Sequence, residues 1–499
     1  MADTKREIER KYEADGSGLP DLTGVGPVAA VLDRGVVELD ATYYDTADER
    51  LAEDALTLRR RTGGSDAGWH LKFPVAPGVR DEIRAPLGDT VPEEIAALVR
   101  SRVRHRALVP LVRLRSVRDV RHLVDAQGAL LAEASLDTVT AERLTGPGGT
   151  ARWTEIEVEL ADGGDPALLD RLDKRLRAAG VRPSAAASKL ARALAETAPD
   201  RPGKPAGPTA PATAGDHVLA YLRAQRDALV ALDPAVRRGI PDSVHRMRVA
   251  TRRARATLRT FTGVLDRAVT GPVGAELKWL AGELGVERDH EVLADRLTSA
   301  LDALPPALVT GPVPERLTAW AEARHGTHAH LAGVLDSHRH LALLDALDAL
   351  LADPPLRAAA GRKPKKALAK AVRKDERKLT ALIEHALALP AGPERDRALH
   401  EARKKAKRTR YAAEAATDAL GAPARTLTKA MKGLTTLLGD HQDGVMARHT
   451  LRELAAVAHA AGENTFTYGL LYGREEGRAA RLEAELAERW RKIADGLSG

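Results

Sequence analysis

The sequence predicts a multidomain α+β protein with a mainly β N-terminal half and an all-helical C-terminal half. Short runs of alternating polar and apolar residues occupy the N-terminal part, whereas long segments with a 3.6-residue apolar period fill the C-terminal part. Between them lies Pro199–Gly215, which is rich in Pro, Gly, Ala and Thr and has no apolar period. We therefore expect domains over 1–198 and 216–499, joined by a linker over 199–215.

Composition excludes several classes of protein. The 499 residues include no Cys, which rules out disulfides, zinc ribbons, iron–sulfur clusters and thiol nucleophiles. Charged residues or Gly interrupt every apolar stretch before ~18 residues, and the N-terminus has no apolar signal segment. We therefore expect a cytoplasmic protein with no membrane partner.

The formal charge of +7 is concentrated in the C-terminal part. Residues 1–198 contain 29 Lys and Arg against 33 Asp and Glu, whereas residues 199–499 contain 48 against 37. A basic domain is typical of proteins with a polyanionic partner. Because aromatic residues make up only 3% of the chain, base stacking has little support, and we expect phosphate rather than base to be the target.

Charges in the N-terminal half are sorted by sign along the predicted strands. Residues two apart share one face of a strand, so each strand presents a row of like charges. The strands are predicted at Glu7–Tyr12, Thr57–Arg61, Trp69–Phe73, Val112–Arg115 and Glu155–Leu160, with helices at Pro92–Arg102 and Pro166–Ala179. The acidic rows are Glu7 and Glu9, then Glu155, Glu157 and Glu159; the basic rows contain Arg59, Arg61, Lys72, Arg113 and Arg115.

Two interpretations of these rows remain open. Any one strand is simply explained as the solvent face of a sheet. The sorting by sign instead favours a barrel with the charges inside, where carboxylates would bind divalent cations and guanidinium groups an oligophosphate. Carboxylates without Cys or paired His favour Mg²⁺ or Mn²⁺ over zinc.

The C-terminal half contains an internal repeat. The segment HRMRVATRRAR at His245–Arg255 matches HEARKKAKRTR at His400–Arg410, and LGVERDHEV at Leu284–Val292 matches LGDHQDGVM at Leu438–Met446. The two shifts, 155 and 154 residues, are nearly equal. Two matches at one offset predict two pseudo-symmetric helical bundles, over about 216–355 and 356–499.

Each repeat carries a basic stripe on one helix. At 100° per residue, His245, Arg248 and Arg252 share a narrow face, and His400, Arg403 and Lys407 repeat it. A solvated face, or a basic helix paired with an acidic neighbour, would explain one such stripe. No acid lies between His245 and Arg259, so the duplication favours an anion that neutralises both helices.

The N-terminal motifs resemble the CYTH family of triphosphate tunnel metalloenzymes. EIERK fits the opening signature of that family, and YYDT, LRRR, WHLK, VRLR, EIEVEL and SK follow in the family's order over about Lys5–Ala195. The resemblance implies an eight-stranded antiparallel tunnel with flanking helices, two divalent metals and a triphosphate substrate. It implies catalytic Glu7, Glu9, Lys11, Glu155 and Glu157; metal ligands Glu7, Glu9, Asp137, Glu155 and Glu157; and phosphate-binding Lys11, Arg59, Arg61, Lys72, Arg113, Arg115 and Lys189.

The C-terminal motifs resemble the CHAD domain, a helical domain associated with inorganic polyphosphate. The basic helices, KWLAGELG and the terminal FTYGLLYGRE carry this resemblance over about Asp216–Arg491. It implies a polyphosphate site lined by His245, Arg248, Arg252, Arg253, His400, Arg403, Lys407 and Arg408.

Together, the two resemblances lead us to expect a Mg²⁺- or Mn²⁺-dependent triphosphatase that binds polyphosphate and associates with polyphosphate granules. Three alternatives stay open: a non-catalytic polyphosphate-binding protein, a tunnel enzyme of the adenylate cyclase type, and nucleic-acid binding by the basic helices.

Overall fold

The computed structural model describes residues 3–14, 18–146, 148–197, 210–322 and 327–498. The chain forms two compact units, residues 1–207 and 208–499. Most of the predicted linker, residues 199–209, lies outside the described residues. Its last two residues, Ala214 and Gly215, begin the first helix of the second unit.

The N-terminal unit is an eight-stranded antiparallel barrel, as the sequence predicts. The strands are β1 (Asp3–Glu13), β2 (Ala30–Asp45), β3 (Thr57–Thr62), β4 (Gly68–Ala76), β5 (Val79–Ala85), β6 (Val109–Val124), β7 (Leu130–Arg143) and β8 (Thr150–Leu160). They pair in the order β5-β4-β3-β2-β6-β7-β8-β1. The barrel closes because β1 pairs with β5 over Asp3–Ile8 and with β8 over Glu9–Glu13. A two-residue strand, β9 (Arg182–Pro183), adds to the end of β1.

Four helices accompany the barrel in the part of this unit that the structure describes: α1 (Arg50–Glu53), α2 (Glu93–Val103), α3 (Ala167–Ala178) and α4 (Lys189–Thr197). Helix α2 covers the outward apolar face of β4 and β5, where Trp69 and Ile83 are buried. Helix α3 covers Ile156 and Val158 on the outer face of β8. The apolar alternation of these strands therefore fixes which face turns inward, because each strand places its apolar residues under a helix.

Helix α4 fills one end of the barrel interior. Its Leu190 and Leu194 pack against Val139 and Trp153, which share strand faces with the inward charges of β7 and β8. The first residue of the helix, Lys189, then lies beside the carboxylates of those two strands.

The C-terminal unit is all-helical over its described residues. Its helices are α5 (Ala214–Arg237), α6 (Ser243–Thr260), α7 (Arg267–Asp302), α8 (Val313–Glu322), α9 (Thr327–Asp336), α10 (His338–Ala352), α11 (Pro364–Ala388), α12 (Pro393–Ala415), α13 (Thr417–Leu420), α14 (Ala422–Ala460) and α15 (Phe466–Ser498). A capping box between Thr213 and Asp216 starts α5. None of the described helices carries an apolar stretch long enough to cross a bilayer.

Two helix trios give this unit its pseudo-symmetry. Helices α5, α6 and α7 pack in succession, α11, α12 and α14 repeat the arrangement, and α6 contacts α12. Leu280 and Leu434, which are equivalent by the repeat offset, are both fully buried in one Leu- and Ala-rich core. This arrangement confirms the predicted pair of helical bundles and places the two basic stripes on neighbouring helices.

Candidate functional site

The barrel encloses a charged cavity of about 700 Å³. Because inward residues alternate along each strand, β1, β3, β4, β5 and β8 all contribute charged side chains to it. The structure brings together eight of the predicted residues here: Glu7, Glu9, Lys11, Arg59, Arg61, Lys72, Glu157 and Lys189. Residues that the sequence did not assign also line it, among them Lys5, Arg34, Arg80, Arg84, Arg118 and Glu133.

Three carboxylates form a cluster at the α4 end of the tunnel. Asp137, Glu155 and Glu157 each offer an oxygen within 4.8 Å of the others. The ammonium of Lys189 lies between them, 2.9 Å from Asp137 Oδ2, 2.7 Å from Glu155 Oε1 and 2.5 Å from Glu157 Oε1. These carboxylates raise the pKa of Lys189 above its usual range, although burial opposes the charged form.

Arg118 of β6 completes this cluster and was not identified from the sequence. Its Nε and Nη2 donate to the two oxygens of Asp137 at 2.7 Å, and Nη2 also donates to Glu157 at 2.7 Å. Burial opposes ionisation of Glu157, but Lys11, Lys189 and Arg118 together hold its pKa well below the usual range. Three cations and three carboxylates thus balance one another in the interior.

Glu7 and Glu9 face the tunnel from β1. Lys72 donates to Glu7 Oε2 at 2.5 Å, and Lys11 donates to Glu9 Oε2 at 3.2 Å and also to Glu157. Burial raises the pKa of Glu7 to about 6, although Lys72 favours the ionised carboxylate. Burial also disfavours ionised Glu9, but Lys11, Lys72 and Lys189 together outweigh it and lower the pKa of that carboxyl.

Glu82 of β5 is a fully buried anchor for the cationic wall. Its Oε2 accepts one hydrogen bond from Arg84 Nε at 2.5 Å, and its Oε1 lies 3.4 Å from Lys72 Nζ and 3.7 Å from Arg59 Nη2. His70 Nδ1 lies 2.9 Å from the same oxygen. Alternation along β4 and β5 places His70 and Glu82 inward, and for His70, which was not identified from the sequence, that alternation is the signal that could have found it.

Arg113 and Arg115 do not enter the tunnel, contrary to the expectation from the resemblance. They lie on the outer face of β6, opposite to Arg118, because residues an odd number apart point to opposite faces. Arg113 instead donates to both oxygens of Asp40, and the Arg115 side chain is 58% exposed. The cation that β6 supplies to the interior is Arg118.

The acidic residues of the tunnel suit a hard divalent cation. All candidate ligands are carboxylate oxygens, which Mg²⁺ and Mn²⁺ prefer. Among the described residues, Glu155 Oε1 is buried and accepts no well-oriented hydrogen bond. Asp137, Glu155 and Glu157 would hold one cation where Lys189 now lies, and Glu7 and Glu9 face the same cavity as Glu157.

A second candidate site lies between α6 and α12 in the helical unit. A cavity of about 320 Å³ is lined by His245, Arg248 and Arg252 from α6 and by His400, Arg403 and Lys407 from α12. Six of the eight predicted polyphosphate-binding residues therefore meet here. The neighbouring helices add Asp289, Gln442 and Asp443.

The cations of this cavity lack enough local anions. Burial lowers the pKa of Lys407 to about 7, and the nearby Arg403, Arg252 and Arg248 lower it further. Burial and like charges also lower the pKa of Arg252. Such mutual repulsion is relieved when an anion binds, so the cavity suits a polyanionic ligand.

Arg253 and Arg408 lie outside this cavity. Arg253 donates to Glu414 at 2.9 Å and lies over the ring of Tyr411. Arg408 pairs with buried Asp375 and lines a separate cavity of about 460 Å³. That cavity shares Arg252 and Lys407 with the first, and it contains Arg255 and Arg259, which continue the basic stripe of α6. It adds three residues that the sequence did not assign: Lys278, Lys404 and Lys405.

The structure thus defines a charged tunnel protein with an appended helical-repeat domain. A CYTH domain matches residues 5–194 and a CHAD domain matches residues 220–452. Two uncharacterized Mycobacterium tuberculosis proteins, MT2285 of strain CDC 1551 and Rv2226 of strain H37Rv, are each 41% identical over 98% of this chain and 96% of their own length. The chain therefore belongs to the CYTH-CHAD family.

Solved structures match each unit at low identity. The CHAD domain of the plant Ricinus communis is 24% identical, with a TM-score of 0.45, and the match covers 58% of this chain and 96% of that one. The Hippeastrum protein HpAC1, described as having a dominant triphosphatase activity, is 17% identical with a TM-score of 0.22, over 39% of this chain and 96% of that one.

Proposed function

We propose that the tunnel hydrolyses a phosphoanhydride bond of inorganic triphosphate or another triphosphate with Mg²⁺ or Mn²⁺, and that the helical unit binds inorganic polyphosphate. Residues 1–198 and 216–499 would be the two functional domains, with 199–215 as linker and repeats over 216–355 and 356–499. The observation that carries the proposal is one cavity in which a wall of Lys and Arg faces a cluster of buried carboxylates.

The tunnel side chains fall into two roles. Arg59, Arg61 and Lys72 would hold phosphate oxygens and stabilise the charge that develops on the transferred phosphoryl group. Glu7, Glu9, Asp137, Glu155 and Glu157 would hold the cations. A bound divalent cation supplies charge neutralisation and lowers the pKa of an attacking water.

The arrangement of charged side chains around the tunnel also supports a substrate with several phosphates. Lys11 and Lys189 already neutralise Glu157, so the acidic cluster does not repel a phosphate chain. A polyanion that enters the cavity meets cations from β1, β3, β4, β5 and β6 on the walls. This favours an oligophosphate over a monophosphate, because one phosphate could contact only part of the wall.

Product analysis tests the tunnel assignment. The full chain is incubated with tripolyphosphate, ATP, thiamine triphosphate or long-chain polyphosphate, first with Mg²⁺ and then with Mn²⁺. Glu157→Gln serves as the inactive variant, and Glu142→Gln, an exposed carboxylate on the outer face of β7, serves as the matched control. We expect orthophosphate from the wild type and from Glu142→Gln, but not from Glu157→Gln.

Two other products would point elsewhere. A cyclic nucleotide formed from ATP would identify a cyclase. Absence of any product would identify a non-catalytic polyphosphate-binding protein.

A competition assay tests the ligand of the helical unit. Polyphosphate and duplex DNA compete for the full chain at ~150 mM salt, where non-specific DNA binding is weak. We expect polyphosphate to displace DNA, and equal competition would contradict the assignment.

We also propose that polyphosphate binding places the protein on polyphosphate granules. When the chain is fused to a fluorescent protein, we expect the wild type to label the granules and the Arg248→Ala/Arg403→Ala variant to lose that label.

A further inference from the structure

Each of the two equivalent arginines of the helical cavity packs against a glycine of a neighbouring helix. A Cβ added to Gly285 of α7 would lie 3.0 Å from Nη2, 3.2 Å from Cζ and 3.4 Å from Nε of Arg248. A Cβ added to Gly439 of α14 would lie 3.4 Å from Nη2, 3.6 Å from Nε and 3.9 Å from Cζ of Arg403. Three atoms of each guanidinium lie against the glycine, so the group rests on the helix backbone.

Backbone conformation does not explain these glycines. Both are buried in the middle of long helices, and neither has a positive φ. Glycine destabilises a helix interior relative to alanine, so alanine would serve the helix better at both positions. The two glycines are also equivalent by the 154-residue offset of the internal repeat. The space above each glycine is therefore the feature that both repeats share.

An aspartate one turn after each glycine completes the arrangement. Arg248 Nη1 and Nη2 donate to the two oxygens of Asp289 at 2.8 Å. In the second repeat, Asp443 interacts electrostatically with Arg403. The Nε atoms of both arginines are buried without a hydrogen-bond partner among the described residues. An unpaired buried donor costs stability, which is typical of a group held in place for a ligand.

We propose that Gly285 is a positioning residue of the polyphosphate site, which holds the guanidinium group of Arg248 flat against α7, and that Gly439 is its more loosely packed counterpart beside Arg403. The inference rests on the proposed function of the helical unit. Its physical basis is preorganisation: an arginine that is already fixed loses less side-chain freedom when a phosphate binds. A methyl group at Gly285 would push the guanidinium of Arg248 out of this position, whereas a methyl group at Gly439 would make ordinary van der Waals contact with Arg403.

The test measures polyphosphate affinity of the full chain at several salt concentrations. Gly285→Ala and Gly439→Ala are compared with Gly274→Ala, a glycine of α7 that has no atom within 4 Å of an added Cβ and lines neither cavity. We expect Gly285→Ala to weaken binding at least threefold and to reduce the slope of log K against log salt by about one. Gly439→Ala should have a smaller effect, because its added methyl group fits beside Arg403. Gly274→Ala should change neither quantity, and no variant should melt below the wild type.

A double-mutant cycle separates positioning from a general structural effect. Once Arg248 is replaced in Arg248→Ala, adding Gly285→Ala should cause no further loss of affinity, because the two residues act as a unit. An equal loss in both backgrounds would overturn the inference. Unchanged affinity of Gly285→Ala beside tight wild-type binding would overturn it as well. If the wild type does not bind polyphosphate at all, the proposed function itself fails.

Discussion

Replacing Lys189 with methionine tests how the tunnel stabilises its buried carboxylates. The ammonium lies within 2.9 Å of Asp137, Glu155 and Glu157, and its side chain is only 10% exposed. Removing one partner of a buried ion pair costs about 3–5 kcal/mol, because the remaining charge stays uncompensated. Arg118 still pairs with Asp137 and Glu157, so we expect the lower end, about 3 kcal/mol.

Calorimetry of the full chain measures this cost. For a domain of this size, 1 kcal/mol shifts the midpoint by about 2–4 °C, so Lys189→Met should unfold about 6–12 °C below the wild type without metal. Lys174→Met, an exposed lysine of α3, is the control and should not change the midpoint. Mg²⁺ should raise the midpoint of Lys189→Met more than that of the wild type. Equal midpoints without metal, or equal shifts with Mg²⁺, would refute this electrostatic account.

Three further predictions concern activity, pH and metal binding. Arg118→Ala should lower triphosphate turnover at least tenfold, whereas Arg115→Ala on the outer face of the same strand should stay within twofold of the wild type. Polyphosphate affinity should fall about tenfold from pH 6 to pH 9, because Lys407, whose pKa is lowered to about 7, loses its charge. The Lys407→Arg variant keeps its charge and should bind with little pH dependence. Mg²⁺ affinity, measured by calorimetry, should fall below pH 6, because protonation of Glu7, whose pKa is about 6, removes a ligand charge; Glu7→Gln should lose that dependence.

The sequence predicted the barrel walls where charge and apolarity alternate cleanly. In EIEVEL, Ile156 and Val158 pack under α3 while Glu155 and Glu157 turn inward, as period two requires. Strand β6 is different because it carries charges on both faces. Local periodicity cannot decide which face of such a strand turns inward. The outward position of Arg113 depends on its ion pair with Asp40 of the neighbouring strand β2.

Helical periodicity already separates Arg253 and Arg408 from the basic stripes, although the resemblance to the CHAD domain implied that both line the polyphosphate site. Arg253 follows Arg252 by one residue and therefore lies about 100° around α6, away from the basic stripe. It faces Glu414 and Tyr411 rather than the cavity. Arg408 occupies the equivalent place on α12 and faces Asp375. The angle between neighbouring residues of a helix therefore excludes both arginines from the cavity that His245 and His400 line.

Other features depend on contacts that no local pattern encodes. Gly271 and Pro272 are adjacent residues that disfavour a helix interior, yet α7 runs through both. Packing of α7 against α6 and α10 accounts for this, since tertiary contacts override a local helix breaker near the helix start. The contacts of Gly285 with Arg248 and of Gly439 with Arg403 likewise depend on the packing of α7 and α14 beside the basic helices.

The central claim is that one site hydrolyses a triphosphate and a separate site binds polyphosphate. Variants of each site, measured for both activities, test it most directly. Triphosphate turnover and polyphosphate affinity are measured on the same preparations of the wild type, Glu7→Gln, and Arg248→Ala/Arg403→Ala, with Arg425→Ala/Arg452→Ala as the exposed control pair. We predict that Glu7→Gln loses turnover and keeps polyphosphate affinity, while the double arginine variant does the reverse. Loss of both activities in either variant would contradict the division of function between the tunnel and the helical unit.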